Sequence, residues 1–276
     1  MKQRFLVSSI TMIMTVVSII LSSCGNNDIK ADVTVPNYYA LSAFYFDGDF
    51  KEFYLDSYNW YKSIEGKDGV YLVNTTYYND EALQAWRDNN LYDAVPDNAF
   101  WVFCVSPSYL EQMNIDVVTD EIDNARNGVR LYLIPDTLPD SETENMERYL
   151  RSDALKHAPD SDIKTTFTEN LEVKIIQYTP SEKHFTFPSL PGQELETTAP
   201  VIYVCTSENM KYFESESLIA TGIDSYIKFI DRDTMQKYTA DTSMDLYSLN
   251  FAKLSDIYRE ASKNKLVDRG IESIFN

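Results

Sequence analysis

The chain has 276 residues, of which 43 are acidic and 24 basic, for a net charge of −19 at pH 7. That balance speaks against nucleic acid as a partner and against a resting place flat on an anionic membrane, since both need basic surface. With 2 histidines, 3 cysteines and 8 glycines, zinc-ligand clusters, a disulfide framework and phosphate-cradling loops are disfavoured as well.

The chain opens with Lys2 and Arg4, followed by an apolar run from Phe5 to Leu21 broken only by serine and threonine. A charged start, an apolar core and a small-residue site make an export signal. The run sits at the lower limit, about 17 residues, for a helix that spans a bilayer. It is followed by Leu21-Ser-Ser-Cys24 and a polar stretch from Gly25. This resembles the lipobox of bacterial lipoproteins, in which small residues fit the signal peptidase and the cysteine thiol forms a thioether to diacylglycerol. Cys24 is then the lipidation site, residues 1–23 the signal peptide and residues 24–37 a tether. The alternative is an uncleaved signal anchor with Cys24 a bystander. Both readings place the rest of the chain outside the cytoplasm, held at the cell membrane.

Residues 38–240 alternate strand and helix patterns, which predicts an α+β domain with α/β-like alternation, a mixed sheet flanked by helices. Strands are expected near Leu41 to Phe46, Val70 to Thr75, Phe100 to Val105, Arg130 to Ile134, Leu171 to Tyr178, His184 to Phe187, Pro200 to Thr206 and Ser225 to Ile230. Helices are expected at Asp49 to Ile64, Asp80 to Asn89, Pro107 to Met113, Thr119 to Asn127 and Ser141 to Ala154. Asp80, Ser106 and Ser141 stand where N-caps belong, and Ser141 with Glu144 reads as a capping box. The proline- and glycine-broken segment 188–200 is either a boundary between two lobes or a long surface loop. Residues 241–276 differ, because Leu246, Leu249, Leu254, Ile257, Tyr258 and Ala261 mark a helical stripe without an intervening strand.

Groups able to do chemistry are few, and each has an ordinary structural reading. Cys104 and Cys205 lie in apolar runs and read as core thiols, with a disulfide between them as the alternative. His157 reads as a solvated or helix-capping residue and His184 as a surface or packing residue. Asp47-Gly-Asp49 reads as a strand-to-helix turn with Asp49 as cap, the alternative being a calcium corner. Asp160 with Asp162, and Asp231 with Asp233, read as solvated turns. No metal, cofactor or catalytic residue is assigned. Tyrosine is abundant at 20 residues. Its clusters fit sheet packing, and if one is a surface for a ligand or partner it is Tyr77 with Tyr78, at a strand end.

Three stretches carry a resemblance: Asn127-Gly-Val-Arg-Leu-Tyr-Leu-Ile-Pro-Asp136 with the acidic helix after it, Ala199-Pro-Val-Ile-Tyr-Val-Cys-Thr-Ser-Glu-Asn-Met210, and Val105-Ser-Pro-Ser-Tyr-Leu-Glu-Gln-Met113. Over residues 38 to 238 the chain resembles the extracytoplasmic domain of bacteriocin-associated integral membrane proteins and of FtsX-like, MacB-like ABC transporter permeases. The resemblance implies an α/β domain outside the membrane that meets transporter subunits or a peptide, either as a free-standing lipoprotein or as part of a permease. The expected function is a non-catalytic, membrane-tethered interaction domain associated with export or envelope stress. The rivals are a solute-binding lipoprotein with two lobes and a cell-envelope glycoside hydrolase using paired carboxylates.

Overall fold

The computed structural model describes residues 35–263 apart from 157–162, 191, 241, 243, 245 and 246. The strands, in chain order, are β1 (Tyr39–Ala43), β2 (Val70–Tyr78), β3 (Phe100–Val105), β4 (Arg130–Pro135), β5 (Val173–Tyr178), β6 (His184–Phe185), β7 (Glu196–Thr197), β8 (Val201–Val204), β9 (Ile227–Phe229) and β10 (Asn250–Lys253). The helices are α1 (Phe50–Ile64), α2 (Asp80–Asp88), α3 (Pro107–Gln112), α4 (Thr119–Arg126), α5 (Asp140–Leu155), α6 (Thr166–Asn170), α7 (Tyr212–Ser217), α8 (Arg232–Thr239) and α9 (Leu254–Lys263). Eight strands form one mixed sheet in the order β10-β1-β9-β2-β3-β8-β4-β5, and β6 pairs with β7 in a small hairpin. Neighbours in the sheet run antiparallel except β3 with β8 and β4 with β5. This is the α+β class expected from the alternation.

The central strands are covered on both sides, which is why they read as unbroken apolar runs rather than as alternating ones. Successive side chains on a strand point to opposite faces. Leu72, Cys104, Tyr132, Ile134, Val201 and Tyr203 therefore enter one core, under α1, α2, α5 and α6. Their neighbours Tyr71, Val73, Phe103, Leu131, Leu133 and Ile202 enter a second core, under α3, α4 and α9. The result is three layers: helices, sheet, helices.

Strand order decides the status of segment 188–200. β8, β9 and β10 follow it in the chain, yet they lie between and beside strands that precede it. The segment contains β7, which pairs with β6 apart from the main sheet, and leads into β8, so the eight-stranded sheet is not divided there. The C-terminal expectation is corrected too: β10 intervenes between residue 249 and α9, and pairs with β1 from Tyr39↔Lys253 to Ala43↔Asn250. Leu249 and Phe251 pack against the first core as strand and loop residues, not as a helical stripe.

Two caps differ from expectation. The side chain capping α2 is Asn79, whose Oδ1 accepts from the Ala82 N–H at 2.9 Å, and Asp80 is the first helical residue. Helix α5 starts at Asp140 with Pro139 before it and has no side-chain cap, so the Ser141 capping box does not form. Glu142 instead turns inward and accepts from the N–H groups of Asp97 and Asn98. Ser106 caps α3 as expected, with Pro107 at the first helical position, where its missing N–H costs nothing.

Candidate functional site

Three places gather polar or aromatic side chains beyond what packing needs. The first is the junction of β1 and α1. Asp49 caps α1 by accepting from the Lys51 N–H at 2.8 Å, which confirms the strand-to-helix turn read from Asp47-Gly-Asp49. Aromatic residues surround this turn. Phe53 is fully buried at the base; Phe46 stacks on it with ring centroids 4.9 Å apart, and Tyr247 packs against it at 4.5 Å. Phe50 meets the edge of Phe46 at 4.5 Å and leads to Tyr54 at 6.1 Å. Two rings are left partly in solvent, Tyr45 at 41% exposed and Phe50 at 39%. Four carboxylates, Asp47, Asp49, Glu52 and Asp56, fall within the same stretch of chain. Asp56 accepts a hydrogen bond from the Tyr247 hydroxyl, which holds the 247 loop against α1.

The second is a pair of cations buried in the sheet. Arg130, on β4, donates from Nη2 to Glu214 Oε1 at 2.6 Å and from Nε to the Tyr132 hydroxyl at 2.7 Å. Its guanidinium lies 3.8 Å from the centroid of the Tyr203 ring. Burial alone would raise the Glu214 carboxyl, but Arg130 and then Lys211 outweigh it and hold the group below the usual carboxylate range. Lys228, on β9 and facing the other core, is also fully buried. Its ammonium donates to the backbone oxygens of Val73, at 3.2 Å, and Ser225, and sits 5.1 Å from the Phe187 ring centroid. Burial pushes the Lys228 amine down to about 7, opposed only in part by the Asp224 carboxylate.

The third is a crevice of about 410 Å³ beside the ends of β3 and β8, with Glu65, Lys67, Asp68, Ser108, Glu111 and Arg126 among its lining. The two strands are parallel and end together. The chain leaving β3 forms α3 over the second core, whereas the chain leaving β8 turns to α7 beside α1. Such divergence at parallel strand ends is where open α/β sheets place ligands. Glu65 accepts from the Ser207 N–H at 3.0 Å and from its hydroxyl, and burial raises its carboxyl against the pull of those bonds.

The residues read from the sequence are distributed as follows. Tyr77 and Tyr78 do not share a surface, because adjacent strand residues face opposite ways. Tyr77 is exposed and packs against Trp101 at 5.0 Å, while Tyr78 turns into an aromatic cluster with Trp86 at 4.7 Å and Phe100 at 5.3 Å. Cys104 on β3 and Cys205 just after β8 are both buried free thiols, so the disulfide alternative is not realised. Burial, and then the neighbouring Cys205, raise the Cys104 thiol. His184 is a packing residue that burial pushes below the usual imidazole value. Asp231 and Asp233 are exposed, as read, and Asp231 in addition caps α8 by accepting from the Thr234 N–H at 2.8 Å. Cys24, His157, Asp160 and Asp162 lie outside the described residues. Among the described residues no group of three or more His, Cys, Asp or Glu could hold a metal ion, and no helix is long and apolar enough to cross a membrane.

Sequence reasoning placed Phe50 and Phe53 on one apolar face of α1, and missed that the face is wider than the groove it fills. Comparison of the chain with protein-family models finds no match, and neither do comparisons with characterised proteins and with solved structures.

Proposed function

We propose that this chain is a non-catalytic interaction domain, tethered at the outer face of a membrane through its N-terminus and akin to the outer domains of FtsX-like, MacB-like exporters. The observation that carries the reading is the β1–α1 junction. Phe50 on α1 and Tyr45 before it leave ring surface in solvent there, and exposed apolar surface fits a macromolecular partner better than a small substrate, which needs a concavity. Aromatic side chains suit such contacts because they offer large apolar area at little entropic cost. The polar groups buried deepest, Arg130 with Glu214 and Lys228 with backbone oxygens, are engaged in holding the sheet.

A photoreactive amino acid in place of Phe50, in the full chain in intact cells, tests this. A discrete cross-linked species from that position, and none from Val118 on the opposite layer, is the expected result. Equal or no cross-linking at both positions would overturn the interaction reading. The tether is tested separately: Cys24→Ser abolishes incorporation of labelled fatty acid and releases the protein from the membrane fraction. Retention without label in the parent chain would replace the lipid with an uncleaved anchor.

A further inference from the structure

We infer that the crevice between the α1–β2 turn and α3 binds a small hydroxylated primary amine, its ammonium group held by Asp68 and Glu111 and one of its oxygens by the Tyr71 hydroxyl. This site is separate from the β1–α1 face. The crevice meets α1 at its C-terminal end, beside Glu65, whereas Phe50 begins the helix about 20 Å away. Gly66 and Gly69, with φ of +69° and +74°, turn the chain after α1, and a Cβ at Gly69 would stand 2.5 Å from Ile230 Cγ2. Ser108 fixes the other wall by donating to the Val70 oxygen at 3.0 Å, which ties the start of α3 to the start of β2. Asp68, Tyr71 and Glu111 all line the space of about 410 Å³ between these walls.

Tyr71 is what points to a ligand. The residue is 5% exposed, with its ring packed against Tyr38 at 5.6 Å and Tyr109 at 5.8 Å, yet its hydroxyl has no hydrogen-bond partner among the described residues. Buried polar side chains are ordinarily satisfied, and this one is left open where it meets the crevice. Burial, and then the charges of Glu111 and Asp68, raise the hydroxyl above the usual phenol value, so both carboxylates lie near it and it stays a donor. Neither carboxylate has an ion-pair partner among the described residues. Arg126, which also lines the crevice, is paired with Asp123 at 3.0 Å, and Glu65 is occupied by Ser207. Two open carboxylates and an open phenol thus stand against one unpaired cation, Lys67.

Other ligand classes satisfy fewer of these groups. A metal ion needs convergent ligands, and no group of three or more His, Cys, Asp or Glu among the described residues provides them. An anion would meet Asp68 and Glu111 unpaired, and a neutral sugar would leave both carboxylates without a cation. A polyamine brings a second positive charge toward Lys67 and Arg126 and offers the Tyr71 hydroxyl no acceptor. A hydroxylated monoamine has three N–H donors for the two carboxylates and an oxygen for Tyr71, with the Gln112 amide at the same wall for a second hydroxyl. The volume lies within the range of about 300–1,000 Å³ that small-molecule sites occupy.

The test titrates the full chain, in nanodiscs of zwitterionic lipid, with glucosamine and follows binding by saturation-transfer NMR. The controls are N-acetylglucosamine, which keeps the ring and loses the ammonium, and spermidine, which keeps ammonium groups and has no hydroxyl. Glucosamine should bind with a Kd of about 1 mM or below, as expected for a ligand of about a dozen non-hydrogen atoms, and both controls at least about fivefold more weakly. Asp68→Asn and Glu111→Gln should each weaken glucosamine about fivefold or more, and Tyr71→Phe about threefold or more. Asp68 and Glu111 are exposed and the Tyr71 hydroxyl holds nothing in the fold, so these variants keep the structure. Glu144→Gln, an exposed position on α5, removes the same charge elsewhere and should leave affinity unchanged.

No saturable binding of glucosamine up to about 20 mM would overturn the inference. So would equal binding of N-acetylglucosamine, which would remove the ammonium from the recognition, or tighter binding of spermidine, which would reduce it to attraction of any cation. Affinity unmoved by the three crevice substitutions, or lowered as much by Glu144→Gln, would place the amine elsewhere and overturn it as well. None of these outcomes bears on the photoreactive group at Phe50, so the crevice and the interaction face fail or stand separately.

Discussion

Arg130 and Lys228 are both fully buried on the sheet, face opposite cores, and are held in opposite ways. Around Arg130 the fold supplies a carboxylate, a hydroxyl, a backbone oxygen and a stacked ring, so the charge is retained. Around Lys228 it supplies two backbone oxygens and the face of Phe187, and the amine titrates near neutrality instead. Burial is the same in the two regions; what differs is the partner and the base itself, since a guanidinium holds its proton far more tightly than an amine. Desolvation favours the neutral form, so a buried lysine without an ionic partner is driven toward losing its proton, while the carboxylate beside Arg130 offsets the cost of burying its charge.

The largest effect should come from breaking the ionic side of this comparison. Glu214→Ala leaves the Arg130 guanidinium buried without its carboxylate and is expected to cost about 3–5 kcal/mol of unfolding free energy, read from urea melts. Replacing both partners, Arg130→Met with Glu214→Leu, should recover most of that loss, since it removes the uncompensated charge. Full loss in the double variant would mean that the polar network, not the charge pair, holds this end of the sheet.

Next in size is Gly128→Ala, two residues before Arg130. Gly128 has φ of +95°, and a Cβ there would stand 2.4 Å from Thr166 Cβ and 3.1 Å from the Glu208 backbone oxygen. Strain and displacement of the start of β4 should cost about 1–3 kcal/mol.

Lys228 is sharpened by pH. Its amine titrates near 10.5 in the unfolded chain and about 7 in the folded one, so between those values the unfolded state binds more protons. Stability therefore rises with pH through that window, and the contribution is lost as pH falls through about 7. The slope should approach about 1.4 kcal/mol per pH unit between pH 7 and 9.5 in urea melts, and Lys228→Met should flatten it. An unchanged slope in the variant would mean that Lys228 keeps its proton after all. Smallest of all, Asp224→Asn removes the carboxylate that partly supports the ammonium, and should shift the midpoint of that window slightly downward with under about 1 kcal/mol lost.

How much of this was legible in the sequence follows from range. β2, β3, β4 and β8 were readable because burial on both faces writes a continuous apolar run into the chain, and α1 and α5 because they are long enough to show a period. Helices α6 and α7, of 5 and 6 residues, are too short for one, and β7 has only two residues. β10 was misread because Leu246 with Leu249, and Leu254 with Ile257 and Tyr258, stand three or four apart as on a helix face, and only pairing with β1, far back in the chain, settles residues 250–253 as a strand. The two buried cations did leave a trace: each stands alone in an apolar strand, Val129-Arg-Leu-Tyr132 and Tyr226-Ile-Lys-Phe229. A lone base in such a run announces a hidden partner, but which one depends on contacts no local pattern carries. At the β1–α1 junction the Asp49 cap was legible; the exposure of Phe50 was not, because one-face periodicity counts apolar residues without measuring the width of the groove that receives them.

The place of β1 has a consequence for how the molecule is made. It lies between β9 and β10, pairing Tyr39 with Phe229 on one side and Lys253 on the other. The first strand to leave the ribosome is thus the one whose partners arrive last, and closing so long a loop is slow. Until β9 is present β1 has no neighbour in the sheet, and until residues 250–253 are present that edge stays incomplete. The edge of the sheet formed by β1 and β10 is therefore the part of the fold that is completed last.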